Sequence, residues 1–247
     1  MQDRDKLEIL VDWLLKSTHT VIFTGAGMST EAGLPDFRSK TGLWKQKDPT
    51  KLASVEAMNQ NPEEFYEFYR MRLATLGEAS PHKGHKILAL WEKDRLIQAI
   101  ITQNVDGLHH RAGSNRVIEL HGTLREAVCL KCKQVYPPQV LEGESIPRCS
   151  CGQMLKPGVI LFGEMLPQEA LRQADIESRR SHLFIVIGSS LEVSPANFFP
   201  LEAKGVGAKL VIINLEPTDM DDQADLLIRG KAGEILDYLN KILKDPD

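Results

Sequence analysis

The continuous apolar runs constrain this chain most. Leu183-Phe184-Ile185-Val186-Ile187 and Lys209-Leu210-Val211-Ile212-Ile213 carry no interior polar position. That is the pattern of strands buried on both faces of a parallel sheet. Thr20-Val21-Ile22-Phe23-Thr24 and Leu96-Ile97-Gln98-Ala99-Ile100-Ile101 belong with them, and 117–123 and 158–162 read as further strands. Between the runs lie stretches of helical spacing. Leu7, Leu10, Val11, Leu14 and Leu15 make one apolar face over 4–16. Residues 63–76, 83–91, 167–180, a stretch after Pro195, and 233–243 read as helices too. Strands alternating with helices give an α/β fold built on a Rossmann-like, doubly wound parallel sheet.

In such a sheet ligands bind beyond the carboxyl ends of the strands. Here each strand ends in small or polar residues. After Thr24 come Gly25, Ala26 and Gly27, then Met28-Ser29-Thr30-Glu31-Ala32-Gly33-Leu34-Pro35-Asp36-Phe37-Arg38. A strand running into Gly-x-Gly and a helical turn lets backbone N–H groups approach a phosphate. The third glycine of the dinucleotide fingerprint is replaced by Thr30. The acidic residue expected about 20 positions on is missing, because 45–52 is a Lys/Asp/Pro loop. A dinucleotide bound here would not lie as in an ordinary dehydrogenase, and a plain glycine turn is the alternative. Residues 35–50, with Pro35, Gly42 and Pro49, read as an irregular loop. Gln103, Asn104 and Asp106 follow the strand at 96–101, where they can meet a ligand or cap the next helix. His121, at a strand end before Gly122, is placed for acid–base work, although a lone histidine is more often structural.

The four cysteines all fall between 129 and 151. Cys129-x-x-Cys132 is followed seventeen positions on by Cys149-x-Cys151. Two close pairs at this separation read as a four-thiolate structural zinc site with no open position for catalysis. The second pair is one residue shorter than usual. No apolar run approaches the roughly 18 residues of a membrane span. Residues 1–11 show no signal-peptide core, so a cytoplasmic location is expected. The net charge of -4 and the glutamates among the lysines of the cysteine segment argue against a nucleic-acid surface.

Taken in order, Gly25-Ala26-Gly27-Met28-Ser29, Gly33-Leu34-Pro35-Asp36-Phe37-Arg38, Thr102-Gln103-Asn104-Val105-Asp106, Glu119-Leu120-His121-Gly122, the paired cysteines, Phe162-Gly163-Glu164 and Gly188-Ser189-Ser190 resemble the sirtuin family, NAD-dependent protein lysine deacylases. The likeness is to the small prokaryotic type.

The resemblance implies a large NAD-binding domain (1–36, 78–122 and 158–247). It also implies a helical module with the cofactor loop (37–77) and a zinc-binding module (123–157). NAD would be a co-substrate: nicotinamide leaves, and the acyl group of an acyl-lysine passes to ADP-ribose. His121 would be the general base and Asn104, with Gln103, would orient the ribose. Asp106 would bond the nicotinamide carboxamide, next to Val105. Ala26, Gly27 and Ser189 would donate to the pyrophosphate, with Gly25, Thr30, Asp36, Gly188 and Ser190 around the cofactor. Phe37 would shield the reactive carbon and Arg38 would fix the loop. Asn214 and Glu216 would meet the adenosine ribose, with Leu215 and Ala232 also at the cofactor. The peptide would add as a strand between Val159, Phe162, Gly163 and Glu164 on one side and Glu192 and Val193 on the other. Tyr69 and Arg72, three apart on a helix, stand where desuccinylating sirtuins place an acyl-reading pair; two plain helix-surface residues are the alternative. The expected protein is a monomer that deacetylates acyl-lysine in proteins or peptides. Protein ADP-ribosylation at the same NAD site is the alternative activity.

Overall fold

The computed structural model describes residues 3–37, 42 and 48–244. The strands among them are β1 (Thr20–Thr24), β2 (Ala99–Thr102), β3 (Val117–Glu119), β4 (Gly122–Cys129), β5 (Val135–Tyr136), β6 (Leu155–Val159), β7 (Leu183–Ile187), β8 (Lys209–Asn214) and β9 (Leu226–Arg229). The main sheet is wholly parallel, in the order β3-β2-β1-β7-β8-β9. The chain runs from β1 outward to β3, then returns to the other side of β1 as β7. The order therefore reverses between β1 and β7, which makes their carboxyl ends the crevice of the sheet. Thr24 pairs with Ile187, so the two strands end level and Gly25 emerges beside Gly188.

Both faces of the sheet are covered, which is why its strands read as unbroken apolar runs. Helices α1 (Asp3–Lys16), α5 (Lys83–Lys93) and α10 (Ala232–Lys244) pack Leu10, Leu88 and Leu236 against Ile22, Ile100 and Ile185. On the opposite face, α8 (Gln168–Arg180) and α9 (Phe199–Gly205) pack Ala174 and Ala203 against Val21, Phe23, Phe184 and Val186. Full burial of each large apolar side chain contributes about 1.5–3 kcal/mol.

In a second, antiparallel sheet, β5-β4-β6, Cys129 ends β4, and the other three cysteines lie in the loops between its strands. This sheet shares one core with α2 (Pro49–Leu52), α3 (Val55–Gln60) and α4 (Pro62–Glu78). Phe65, Tyr66, Phe68 and Tyr69 of α4 pack with Leu124, Leu155, Leu161, Cys129 and Cys149. Tyr66 Oη donates to the Leu155 carbonyl at 2.7 Å.

Several elements differ from the sequence expectation. Residues 158–162 are not a strand of the main sheet; the strand is β6, which ends at Val159 and pairs antiparallel with β4. Its apolar residues serve the small core. The unit 117–123 is split between the two sheets, and His121 lies at the crossing, before Gly122 at φ 72°. A Cβ at Gly122 would meet the Gly158 carbonyl at 2.2 Å, so only glycine fits there. The strand expected from 96 begins at Ala99, because the N–H groups of Leu96 and Ile97 close back onto Trp91. Strand β9 was not anticipated. Of the loop 35–50, α2 begins at Pro49, while 38–41 and 43–47 lie outside the described residues. Among the described residues no helix is long and apolar enough to cross a membrane.

Candidate active site

The crevice at the ends of β1 and β7 is a cavity of about 690 Å³, a size typical of ligand sites. Every site residue expected from the sequence lines it, apart from the four cysteines and Arg38, which lies outside the described residues. The floor forms because two glycine loops touch. Gly27 N–H donates to the Gly188 carbonyl at 2.8 Å, and Gly25 N–H to the Ile187 carbonyl at 3.2 Å. A Cβ on Gly188, at φ 62°, would stand 2.3 Å from Met28 N. These glycines therefore bring backbones together. The Gly27 N–H, expected to face a pyrophosphate, is here engaged by the Gly188 carbonyl. The turn after them is a 3-10 helix (Ala26–Ala32), and Thr30 Oγ1 bonds back to the Gly27 carbonyl at 3.0 Å.

A buried polar network joins the strand ends. Ser29 Oγ donates to Asp106 Oδ2 at 2.7 Å, and Leu108 N–H to Oδ1 at 2.8 Å. The Asn104 amide donates to the Gly25 carbonyl at 3.0 Å and to Ser29 Oγ at 3.2 Å. Both of its N–H groups have acceptors, so Oδ1 is the atom it can offer a ligand. Gln103 Nε2 donates to Ser189 Oγ at 2.8 Å. Burial pushes the Asp106 carboxyl above its ordinary range, against the opposing pull of these hydrogen bonds and of Arg72.

His121 Nδ1 lies 3.0 Å from the Gln103 carbonyl. A carbonyl only accepts, so the neutral ring carries its proton on Nδ1 and Nε2 is the basic atom. Beneath the network, His82, His85 and His109 stack edge to face with centroids 4.5 and 4.9 Å apart. Burial lowers His85 to about 2 and His109 to about 3, so both are neutral at ordinary pH.

At the end of the cavity expected to meet the adenosine, Asn214 Nδ2 donates to the Glu216 carbonyl at 2.8 Å, holding the loop after β8. Glu31 Oε2 accepts from Gly233 N–H at 2.5 Å, which caps α10 beside Ala232. At the other end, Tyr69 and Arg72 line the cavity instead of the helix surface. The Arg72 guanidinium sits 5.3 Å from the Phe37 ring centroid and 5.9 Å from that of Tyr69. Burial raises Tyr69 to about 12, and the phenol stays neutral.

The sequence pattern does not single out Ser29, although it bonds both Asn104 and Asp106. A serine after a glycine loop reads as a helix cap, and nothing local shows that it faces a residue 77 positions away. Leu34, Ile160 and Lys231 also line the cavity unannounced.

The four Sγ atoms lie within 4.8 Å of one another, with Cys129–Cys151 and Cys132–Cys149 each at 3.5 Å. Zinc bound at about 2.3 Å to each thiolate separates sulfurs by about 3.8 Å, so the set fits a tetrahedral ion. The Cys132 N–H points to Cys129 Sγ at 3.5 Å. Shortening the second pair leaves the four sulfurs clustered.

The family model for the Sir2 family matches residues 25–195. NAD-dependent protein deacetylase 1 of Geobacillus kaustophilus is 52% identical over 241 residues, 96% of this chain and 99% of that protein. An NAD-dependent protein deacetylase of Oceanobacillus iheyensis is 54% identical over 231 residues, 92% and 97% of the two chains. A solved Sir2–p53 peptide–NAD+ complex superposes with a TM-score of 0.86 at 40% identity, covering 96% of this chain and 97% of that one. The strand-end constellation, the glycine floor and the cysteine cluster thus have one common explanation: the chain belongs to the Sir2 family.

Proposed function

We propose that this protein is an NAD-dependent protein lysine deacetylase, releasing nicotinamide and passing the acetyl group of acetyl-lysine to ADP-ribose. The observation that carries the reading is His121, whose basic Nε2 is set by the Gln103 carbonyl in the same cavity as Asn104 and Asp106. Relatives of high identity and coverage are NAD-dependent protein deacetylases, and similar structures hold a p53 peptide with NAD+, or a propionylated peptide.

NAD supplies an electrophilic ribose carbon and a leaving nicotinamide. The chain's residues do the rest. Asn104 Oδ1 accepts from a ribose hydroxyl, and His121 takes a ribose proton as the sugar oxygen turns nucleophilic. Asp106 bonds the nicotinamide carboxamide, and Phe37 keeps water from the reacting carbon. Zinc closes the small module and takes no part in the chemistry, because four thiolates leave it no open position. ADP-ribosylation of a protein shares these residues up to nicotinamide release; the relatives support deacetylation instead.

A second acyl preference has its own support. Arg72 reaches the cavity as a cation on an apolar wall, and a succinyl or malonyl carboxylate losing its hydration there gains a charge-assisted partner. The protein is read as a monomer. Incubation with NAD and acetylated, succinylated and malonylated peptides, followed by mass spectrometry of the nucleotide product, tests the function. Acyl-ADP-ribose with equimolar nicotinamide is expected. A peptide mass increase by ADP-ribose would overturn deacetylation in favour of transfer to protein.

A further inference from the structure

A buried lysine stands just outside the cavity. Lys156, on β6, is 6% exposed, and lysines are almost never that deep without a partner. Its neighbours Leu155 and Val159 belong to the small core. Residues alternate faces along a strand, so Lys156 points away from that core and fills no place in it. Its ammonium donates to the Val159 carbonyl and to Glu164 Oε2, the latter at 2.8 Å. The same Oε2 accepts from Leu161 N–H at 2.8 Å, and Glu164 N–H closes onto the Leu161 carbonyl at 3.0 Å. Both partners lie on residues 159–164, which form one wall of the cavity.

That wall is tied at its other points to the rest of the site. Ile160 N–H donates to the His121 carbonyl at 2.8 Å. Phe162 donates to the Ala53 carbonyl at 2.9 Å and accepts from Val55 at 3.2 Å, which joins it to the helical module. Just past these anchors the chain turns through Gly163 at φ 93°. The Glu164 carboxylate, held by Lys156, spans this turn alongside the main-chain bond from Glu164 N–H to the Leu161 carbonyl. A peptide that adds as a strand here relies on the turn's main chain standing at the right height.

We infer that Lys156 is a positioning residue for the acyl-lysine peptide: through Glu164 and the Val159 carbonyl it holds residues 159–164 in the shape that accepts an added strand. The inference rests on the deacetylase reading above. An ammonium buried this far is costly unless paired, and here both of its partners sit on the segment that the peptide must meet.

Steady-state kinetics with an acetyl-lysine peptide and NAD test it. Lys156→Met keeps the length of the side chain and removes the charge. It should raise the KM for peptide about tenfold, the loss expected of one buried charge-assisted contact, and leave the KM for NAD close to wild type. In a Glu164→Gln background the same substitution should change the peptide KM less than about twofold, because the two act as a unit. Should Lys156→Met not purify folded, Lys156→Gln, which retains a donor to Val159, must show the same split. An unchanged peptide KM overturns the inference. So does a rise in the NAD KM matching that for peptide, or an equal Lys156 effect with and without Glu164. Wild-type protein that releases no nicotinamide with any acyl-peptide would overturn the deacetylase reading itself.

Discussion

His121 Nδ1 and the Gln103 main-chain carbonyl lie 3.0 Å apart, and this one contact decides which ring nitrogen can act as a base. His121→Ala should lower kcat/KM on acetyl-lysine peptide by roughly 10²–10⁴-fold, the usual cost of losing a general base. His121 is only partly buried at the junction of the two sheets, so the fold should survive, as circular dichroism would show. A mutant within about tenfold of wild type removes His121 from that role.

Two glycines of positive φ separate strain from collision. Gly33, at φ 88°, has open space where a Cβ would go, whereas a Cβ on Gly188, at φ 62°, meets backbone at 2.3 Å. Gly33→Ala should cost only the left-handed conformation, about 1–2 kcal/mol. Gly188→Ala should cost distinctly more and also weaken NAD binding, because Met28 N and Gly27 must move. Urea denaturation and NAD titration of both variants check this; equal losses would contradict it.

Zinc should be present at one ion per chain, and its removal should be felt beyond the cysteines. Cys129 and Cys149 are buried in the same core as Phe65, Tyr66 and Tyr69, and metal-binding free energy at such a site is folding free energy. Chelation, or Cys132→Ser, should lower the melting temperature and reduce amide protection along α4. Undiminished protection in metal-free protein would separate the two modules energetically.

Acid should destabilise this protein early. His85 and His109 hold values of about 2 and about 3 in the folded state, against about 6.5 in an unfolded chain. Both folded values are depressed, so the unfolded state binds more protons between the two. Their stabilising contribution is complete above about pH 6.5 and declines as pH falls below it, by about 1.4 kcal/mol per pH unit for each ring. Urea midpoints measured from about pH 7.5 to about pH 5 should fall steeply, and His85→Asn with His109→Gln should flatten the slope.

Arg72→Met should reduce efficiency on succinyl-lysine roughly 10–150-fold while acetyl-lysine changes little. The basis is the placement of the guanidinium in the cavity wall, with the Tyr69 phenol beside it. Parallel losses on the two substrates would limit Arg72 to supporting Phe37, over which it also stacks.

Much of this was legible in the residues. The strands 20–24 and 183–187 have the bounds expected, because burial on both faces leaves an unbroken apolar run. The cysteine pairs announced a metal site by chemistry and spacing alone. Less was legible wherever the partner is distant. Residues 117–123 divide between two sheets because β4 takes β6 as its antiparallel partner, and no local pattern shows that choice. Tyr69 and Arg72 fit a surface or a cavity equally well until α4 is packed against β4 and β6.

The sequence by itself determined the α/β class, the strand-end loops that carry the chemistry, and the zinc ligands, since these rest on local periodicity and residue type. Only the tertiary structure decided that Ser29 meets Asp106, that the Gly27 N–H meets the Gly188 carbonyl, that His121 presents Nε2, and that the Lys156 ammonium meets Glu164. Each of those depends on a hydrogen bond or close approach across elements. Such contacts are set by how the sheets and helices pack, and packing is a property of the whole chain.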